Sequence, residues 1–301
     1  MNALPFAKPG TFLKGNLHMH SKRSDGALSV ADACDKYRTA GYDFVSITDH
    51  ALERFGFPIT DTRFCRTRGF TTIIGAELHA GTSEFGYMWH ILANGLPLDF
   101  DPKGFASGQE LARAAGDLGA FVTVAHPAWY TLTENDVASY AGVAHAIEVG
   151  NGVAGALQDR YDSFYIAELM LHRGYRFNLV ATDDYHGAPH LREAELGWVW
   201  VKAEENEPDA LVAALKAGDY YSSSGPRVYD LEVIPGKSVY VACDPADLIV
   251  ITGTGYQASS TTEPGTTEVE LDIRHFDSPY LRLTVRDDSG RFAWTNPIWL
   301  Q

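Results

Sequence analysis

Gly15-Asn16-Leu17-His18-Met19-His20 reads as a short strand ending in two histidines two residues apart, with Ser24-Asp25-Gly26 placing an acid on the turn just beyond. Alternate side chains of extended backbone share a side, so both rings can reach one point past the strand end. Alone, the pair is as compatible with incidental histidines, and Asp25 with a plain Asp-Gly turn. Repetition decides the reading. Thr48-Asp49-His50 closes a second apolar run, Gly75-Ala76-Glu77 a third, His90 opens a fourth, and Ala125-His126-Pro127 follows the very apolar 121–124. Ala181-Thr182-Asp183-Asp184-Tyr185-His186-Gly187 then repeats the first spacing with Asp184 and His186. Any one of the acids could be a helix cap or a solvated charge. Six of the eleven histidines at strand ends or starts is a pattern that independent placement does not explain.

Between about residues 14 and 202 short apolar runs alternate with helix-like segments, which predicts β/α units. Strands are expected at 15–19, 43–48, 72–78, 90–93, 121–125, 146–149 and 178–182. Ser29 with Asp32 resembles a capping box opening a helix that Gly41 stops. Leu111, Ala115 and Leu118 before Gly119, and the apolar positions of 210–217 before Gly218, predict core-facing helices. From about residue 226 the texture changes to alternating segments, 228–234, 239–242, 248–252, 269–273 and 281–285, while the Ser-, Thr- and Gly-rich 258–267 reads as a loop. The expectation is an α/β barrel domain over 1–225 and a small all-β domain over 226–301. In a parallel barrel the residues after the strands meet on one face, where active sites are built.

A chain of 301 residues, 45% apolar and 21% charged, buries a substantial core. Its net charge of −15 argues against large nucleic acids as partners. It does not exclude a small anion, since bound cations reverse the field inside a cleft. No apolar run approaches the roughly 20 residues of a membrane span. Residues 1–10 lack an apolar secretory core, so cytoplasmic residence is expected. Cys34, Cys65 and Cys243 read as ordinary thiols. Oligomeric state is not legible.

These histidine and acid motifs resemble those of the PHP family, the polymerase and histidinol phosphatase metal-dependent phosphoesterases, over roughly residues 15–225. The resemblance implies a distorted (β/α)7 barrel with up to three metal ions on nine ligands. Position by position it puts His18, His20 and Asp184 on one ion, with Glu77 bridging to a second held by His90 and His126. Asp25, His50 and His186 hold the third; some members have histidine where Asp25 stands. The tail, from Ser224-Gly225-Pro226-Arg227 to Ala293-Trp294-Thr295-Asn296-Pro297, resembles a branch with a β-sandwich-like tail that includes carbaryl hydrolases.

The mixed donor set suits zinc, manganese or iron better than magnesium. A hydroxide shared by two ions is the expected nucleophile, and no Gly-Xaa-Ser-Xaa-Gly elbow offers another. The leading expectation is hydrolysis of a small-molecule phosphate ester. Cleavage of a carbamate or carboxylic ester by the same centre is the alternative, and a non-catalytic metal-binding module the second. Lys22, Arg23, Arg160, Arg192 and Arg227 are candidate phosphate clamps, each also readable as surface charge. Glu148 and Asn151 are expected to face the cleft as substrate or supporting contacts. Asp49 and Asp183 either orient histidine rings or cap helices. A phosphate pocket should bring arginine or lysine near the metals; an aryl-ester pocket should be walled by aromatics such as Trp129, Tyr130 and Tyr185. His79, His145, His172, His190 and His275 match no motif and are read as structural or exposed.

Overall fold

The computed structural model describes residues 3–188 and 192–300 of the chain, so His190 lies outside the described residues. In chain order the first half runs β1 (Thr11–Asn16), α1 (Val30–Thr39), β2 (Phe44–Ile47), β3 (His50–Ala51), β4 (Thr71–Leu78), β5 (Ile91–Asn94), α2 (Gly108–Asp117), β6 (Phe121–Val124) and α3 (Glu134–Ala138). Then come β7 (Ala146–Asn151), α4 (Gly152–Gln158), α5 (Phe164–His172), β8 (Asn178–Thr182), β9 (Trp198–Ala203), α6 (Pro208–Ala217) and β10 (Tyr220–Ser223). The C-terminal part holds β11 (Val228–Ile234), β12 (Ser238–Ala246), β13 (Leu248–Thr252), β14 (Ala258–Thr261), β15 (Thr266–Asp272), β16 (Tyr280–Arg286), β17 (Phe292–Thr295) and β18 (Ile298–Trp299).

The expected β/α barrel forms from β1, β2, β4, β5, β6, β7 and β8, hydrogen-bonded in that order. All pairs are parallel except those of β5, which runs antiparallel to both β4 and β6. That reversal is the distortion, and it matters for the site: the start of β5 lies at the same end of the barrel as the finish of its neighbours. Met19 bridges Tyr185 in parallel, and the His20 amide donates to the Tyr185 carbonyl at 2.8 Å, joining the first barrel strand to the last at the mouth. β2 and β6 are buried along their whole lengths, as strands covered on both faces must be. Ser29 caps α1 by accepting from the Asp32 amide, an interaction of about 1 kcal/mol.

The sheet does not stop at residue 225. Antiparallel β9 joins β1 to β10, and β10 pairs with β17 near the C-terminus, so one sheet runs from the barrel into the tail. A second sheet of β11, β12 and β15 faces it. Val228, Val239 and Leu271 of one sheet and Ile249, Leu283 and Ala293 of the other share one apolar core, giving the sandwich-like packing expected of the tail. Asn296 stitches the tail down: it accepts from the Leu179 amide at 2.8 Å and donates to the carbonyls of Gly218 and Tyr220.

Three details correct the sequence reading. β1 ends at Asn16, so His18 and His20 follow the strand and do not terminate it; its earlier start comes from pairing of Thr11–Gly15 with β9. Leu118 is 57% exposed, because it sits past the last residue of α2 and leaves the apolar face. Residues 258–261 form an edge strand on β13; a polar edge strand need not alternate in the way that a half-buried one does.

Candidate metal centre

Six elements deliver the chemistry to one end of the barrel. His18 and His20 follow β1, His50 opens β3, Glu77 is the penultimate residue of β4, His90 precedes the reversed β5, His126 follows β6, and Asp184 and His186 follow β8. Asp25 comes in on the turn behind β1. A Cβ at Gly26 would lie 2.4 Å from the His20 carbonyl, so only glycine lets that turn fold so closely against the strand.

His18 Nε2 and His20 Nε2 are 3.3 Å apart, and each lies about as far from two carboxylate oxygens: Asp184 Oδ1 at 3.1 and 3.0 Å, Glu77 Oε2 at 3.5 and 3.4 Å. Four donors on tetrahedral bonds of about 2.1 Å stand roughly 3.4 Å from one another. The other Glu77 oxygen is 2.6 Å from His90 Nδ1 and 3.3 Å from His126 Nε2. Asp25 lies 3.4 Å from His50 Nε2 and 3.6 Å from His186 Nε2. The structure thus brings together all nine side chains that the sequence reading grouped, with Glu77 between two subsets. The set fits divalent cations: it is rich in imidazole, carries three carboxylates, and has its ring nitrogens aimed at one another's space.

The charges are interdependent. Burial works against ionised His18, but Asp184, Glu148 and Glu77 override it and hold the ring well above its ordinary range. Burial, then the neighbouring His186 and His50, lower His20 to about 4. His50 is pushed up to about 10 against its burial by Glu77 and Asp25. Burial alone would raise Asp184 and Glu77, yet the surrounding imidazoles hold both carboxyls far down. His126 and Asp184 adopt positive φ, 23° and 53°, a backbone cost of order 1–3 kcal/mol each that surrounding structure must enforce.

Around this set lies a second layer. Glu148, fully buried, places Oε1 2.9 Å from His18 Nδ1 and accepts from Thr182; its Oε2 accepts from the His126 amide at 2.8 Å and from Asn151 at 2.9 Å. Asn151 also donates to Asp184 at 3.2 Å and caps α4. Both lie behind the centre, so the expected substrate contact is not their position. Asp49 accepts from Ser21, Ser24 and Thr60, clamping the turn that carries Asp25. Asp183 accepts from Tyr37 and from the amides of Glu195, Leu196 and Gly197. Among the described residues, no histidine ring is a hydrogen-bond partner of either aspartate, and neither caps a helix: both anchor loops.

Above the centre is a cavity of about 330 Å³, lined by seven of the nine candidate ligands, all but His18 and His20, and by Trp129, Val153, Leu157, Ala188 and Glu193. Among the described residues, no arginine or lysine lines it. Lys22, Arg23 and Arg192 are exposed, Arg160 donates to the carbonyls of Ala128 and Trp129, and Arg227 stacks over Trp200 and Tyr229. Of the three aromatics considered, only Trp129 reaches the cavity; Tyr130 packs behind His90 and His126, and Tyr185 against Tyr37. A larger cavity of about 530 Å³ lies by the start of β8, but its Lys8 and Asp219 are engaged with each other at 2.6 Å.

Two residues escaped the sequence reading. Glu193 is buried beside the cavity and accepts from the amides of His186 and Gly187; nothing in its surroundings along the chain marks it. His79, read as structural or exposed, is buried with its ring against His50 and His90. Its signal was available, since Glu77-Leu78-His79 repeats the spacing of His18 and His20. His145 accepts from the Val122 amide, and His172 and His275 are exposed, as read.

A two-domain Bacteroides vulgatus protein containing a predicted PHP-like metal-dependent phosphoesterase matches 96% of this chain over 96% of its own, with a TM-score of 0.57 and 18% identity. The chain has the PHP-like fold. PsfC from Pseudomonas syringae, at 15% identity and a TM-score of 0.48, aligns with 68% of this chain and 87% of its own. In sequence, 39 residues are 46% identical to the DNA polymerase/3'-5' exonuclease PolX of Bacillus subtilis, 13% of this chain and 7% of that protein. No family model matches the chain.

Proposed function

We propose that this protein is a metal-dependent hydrolase that cleaves a small-molecule phosphate ester. The observation that carries the reading is the convergence of three carboxylates and six imidazoles, from segments up to 168 residues apart, beneath one open cavity. His18, His20, Asp184 and Glu77 would hold one ion, Glu77, His90 and His126 a second, and Asp25, His50 and His186 a third, with zinc, manganese or iron suiting the donors. Bound divalent ions supply Lewis-acid stabilisation of a phosphoryl group and lower the pKa of water towards about 7.

The chain's own residues do the rest. Glu148 accepts a hydrogen bond from His18 Nδ1–H, which in the neutral ring leaves Nε2 free toward the centre, Asn151 steadies Asp184, and Asp49 holds the Asp25 turn in place. Trp129, Val153 and Leu157 give the cavity an apolar wall that excludes water from the ester and receives its organic part. With no arginine or lysine among the described residues lining the cavity, phosphate charge would be met by the metal centre and its histidines, which suits a monoester or diester of low charge better than a polyphosphate.

The same wall favours a second reading, hydrolysis of an aryl carbamate or carboxylic ester. Cytoplasmic residence belongs to the proposal and agrees with three free thiols. The test is turnover by manganese- or zinc-loaded protein across phosphomonoesters, phosphodiesters and aryl carbamates, with His18→Ala and Asp184→Ala as controls. Phosphate release lost in both variants supports the first reading, carbamate turnover alone the second, and metal uptake without turnover a binding module.

A further inference from the structure

We infer that His79 is a positioning residue of the metal centre, fixing the tautomer of His50 so that the bare Nε2 of that ring faces Asp25 and His186. The inference rests on the proposed centre and adds a residue that no motif assigns to it.

The argument starts at a backbone carbonyl. Trp89 O can only accept, and His79 Nδ1 lies 2.9 Å from it, so that nitrogen carries a proton. The other ring nitrogen, Nε2, stands 2.9 Å from His50 Nδ1. Two N–H groups cannot face each other at that distance, so one nitrogen gives and one receives. A second acceptor decides which: Glu77 Oε2 is also 2.8 Å from His50 Nδ1, and both neighbours are satisfied only if that atom holds the proton. When the ring is neutral, as a ligand must be, its one lone pair is then on Nε2, which is the atom 3.4 Å from Asp25 Oδ2. The opposite arrangement, with His79 donating, would put the proton on His50 Nε2 and close that nitrogen to a cation. The Trp89 carbonyl thus sets, through two rings, which face of His50 is open.

The placement fits the role. His79 is 9% exposed, and its ring centroid lies 5.0 Å from that of His50 and 4.6 Å from that of His90, so it is held behind the centre.

The test compares wild type with His79→Phe, which keeps an aromatic ring and removes the acceptor, and His79→Gln, whose amide oxygen can accept from His50. Zinc and manganese content after dialysis and affinity by titration are measured on folded protein. The expected result is that His79→Phe holds its weakest ion about 10–100-fold less tightly with the others unchanged, and that His79→Gln recovers part of the loss. Independently of any variant, nitrogen–proton correlation spectra of zinc-loaded wild type should show His50 and His79 both as Nδ1–H tautomers. Equal affinities in wild type and His79→Phe, or an Nε2–H His50, would overturn the inference alone. A wild type that takes up no ion overturns the proposed centre and this inference with it.

Discussion

Glu148 Oε1 lies 2.9 Å from Nδ1 of His18, a residue 130 positions away, and the pair sits where no water reaches either side chain. A carboxylate behind a histidine selects the tautomer and strengthens the outward nitrogen as a ligand. Glu148→Gln should therefore lower metal affinity by about 10–100-fold while leaving the circular dichroism spectrum unchanged. Unaltered zinc titrations in the variant would mean that His18 does not depend on this contact.

Ion uptake should release protons at pH 7. In the ion-free protein the carboxylates hold His18 well above its ordinary range and His50 at about 10, so both are charged at neutral pH, whereas a ligating imidazole is neutral. Affinity should accordingly rise with pH from 6 to 9, and adding zinc to weakly buffered protein should acidify it. A chelator should lower the melting temperature, since an ion at 100 times its Kd stabilises the native state by about 2.7 kcal/mol. A melting curve indifferent to both zinc and chelator would contradict the expectation.

Asp183→Ala strands the Tyr37 hydroxyl and the Gly197 amide in the interior and releases the part-buried amides of Glu195 and Leu196. With unsatisfied buried groups at about 1–3 kcal/mol each and partial relaxation, a loss of about 3 kcal/mol or more is expected, measurable by urea unfolding. A loss below about 1 kcal/mol would show that the 193–197 segment is not held by this carboxylate.

Because β10 pairs with β17 and Asn296 bonds both Leu179 and Gly218, barrel and tail should unfold together. Asn296→Ala should shift a single calorimetric transition downward by several degrees. Two resolved transitions in the wild type would show the parts to be energetically separate.

Trp129→Ala should raise KM for aryl esters about 10–100-fold, since losing an aromatic contact of about 1.5–3 kcal/mol weakens binding without touching the candidate metal ligands. Esters with small alkyl groups should be affected less. Equal losses on both would remove Trp129 from substrate recognition.

Much of this was legible in one dimension because β-strands end abruptly and their ends carry side chains out of the core. The largely apolar 121–124 and 178–181 runs announce strands, and the histidine two residues after the first and the aspartates two and three residues after the second have no packing reason to be there. The C-terminal texture gave away five of its strands by alternation but not β14, β17 or β18, which are short, at two to four residues each. The basic candidates misled because a positive charge near a motif along the chain says nothing of direction: Arg227 turns to Trp200, and Arg160 to backbone carbonyls.

The sequence by itself determined most element types and the candidate ligands at the strand ends, since periodicity and turn chemistry are local properties of the chain. Tertiary structure alone decided that β5 runs backwards and so brings His90 to the mouth, that Glu148, Asn151 and His79 stand behind the ligands, and that the cavity wall is apolar. Those relations join residues tens to hundreds of positions apart. They depend on which buried donor finds which acceptor once the barrel closes, a choice made by three-dimensional packing and hydrogen-bond satisfaction and written in no local stretch of chain.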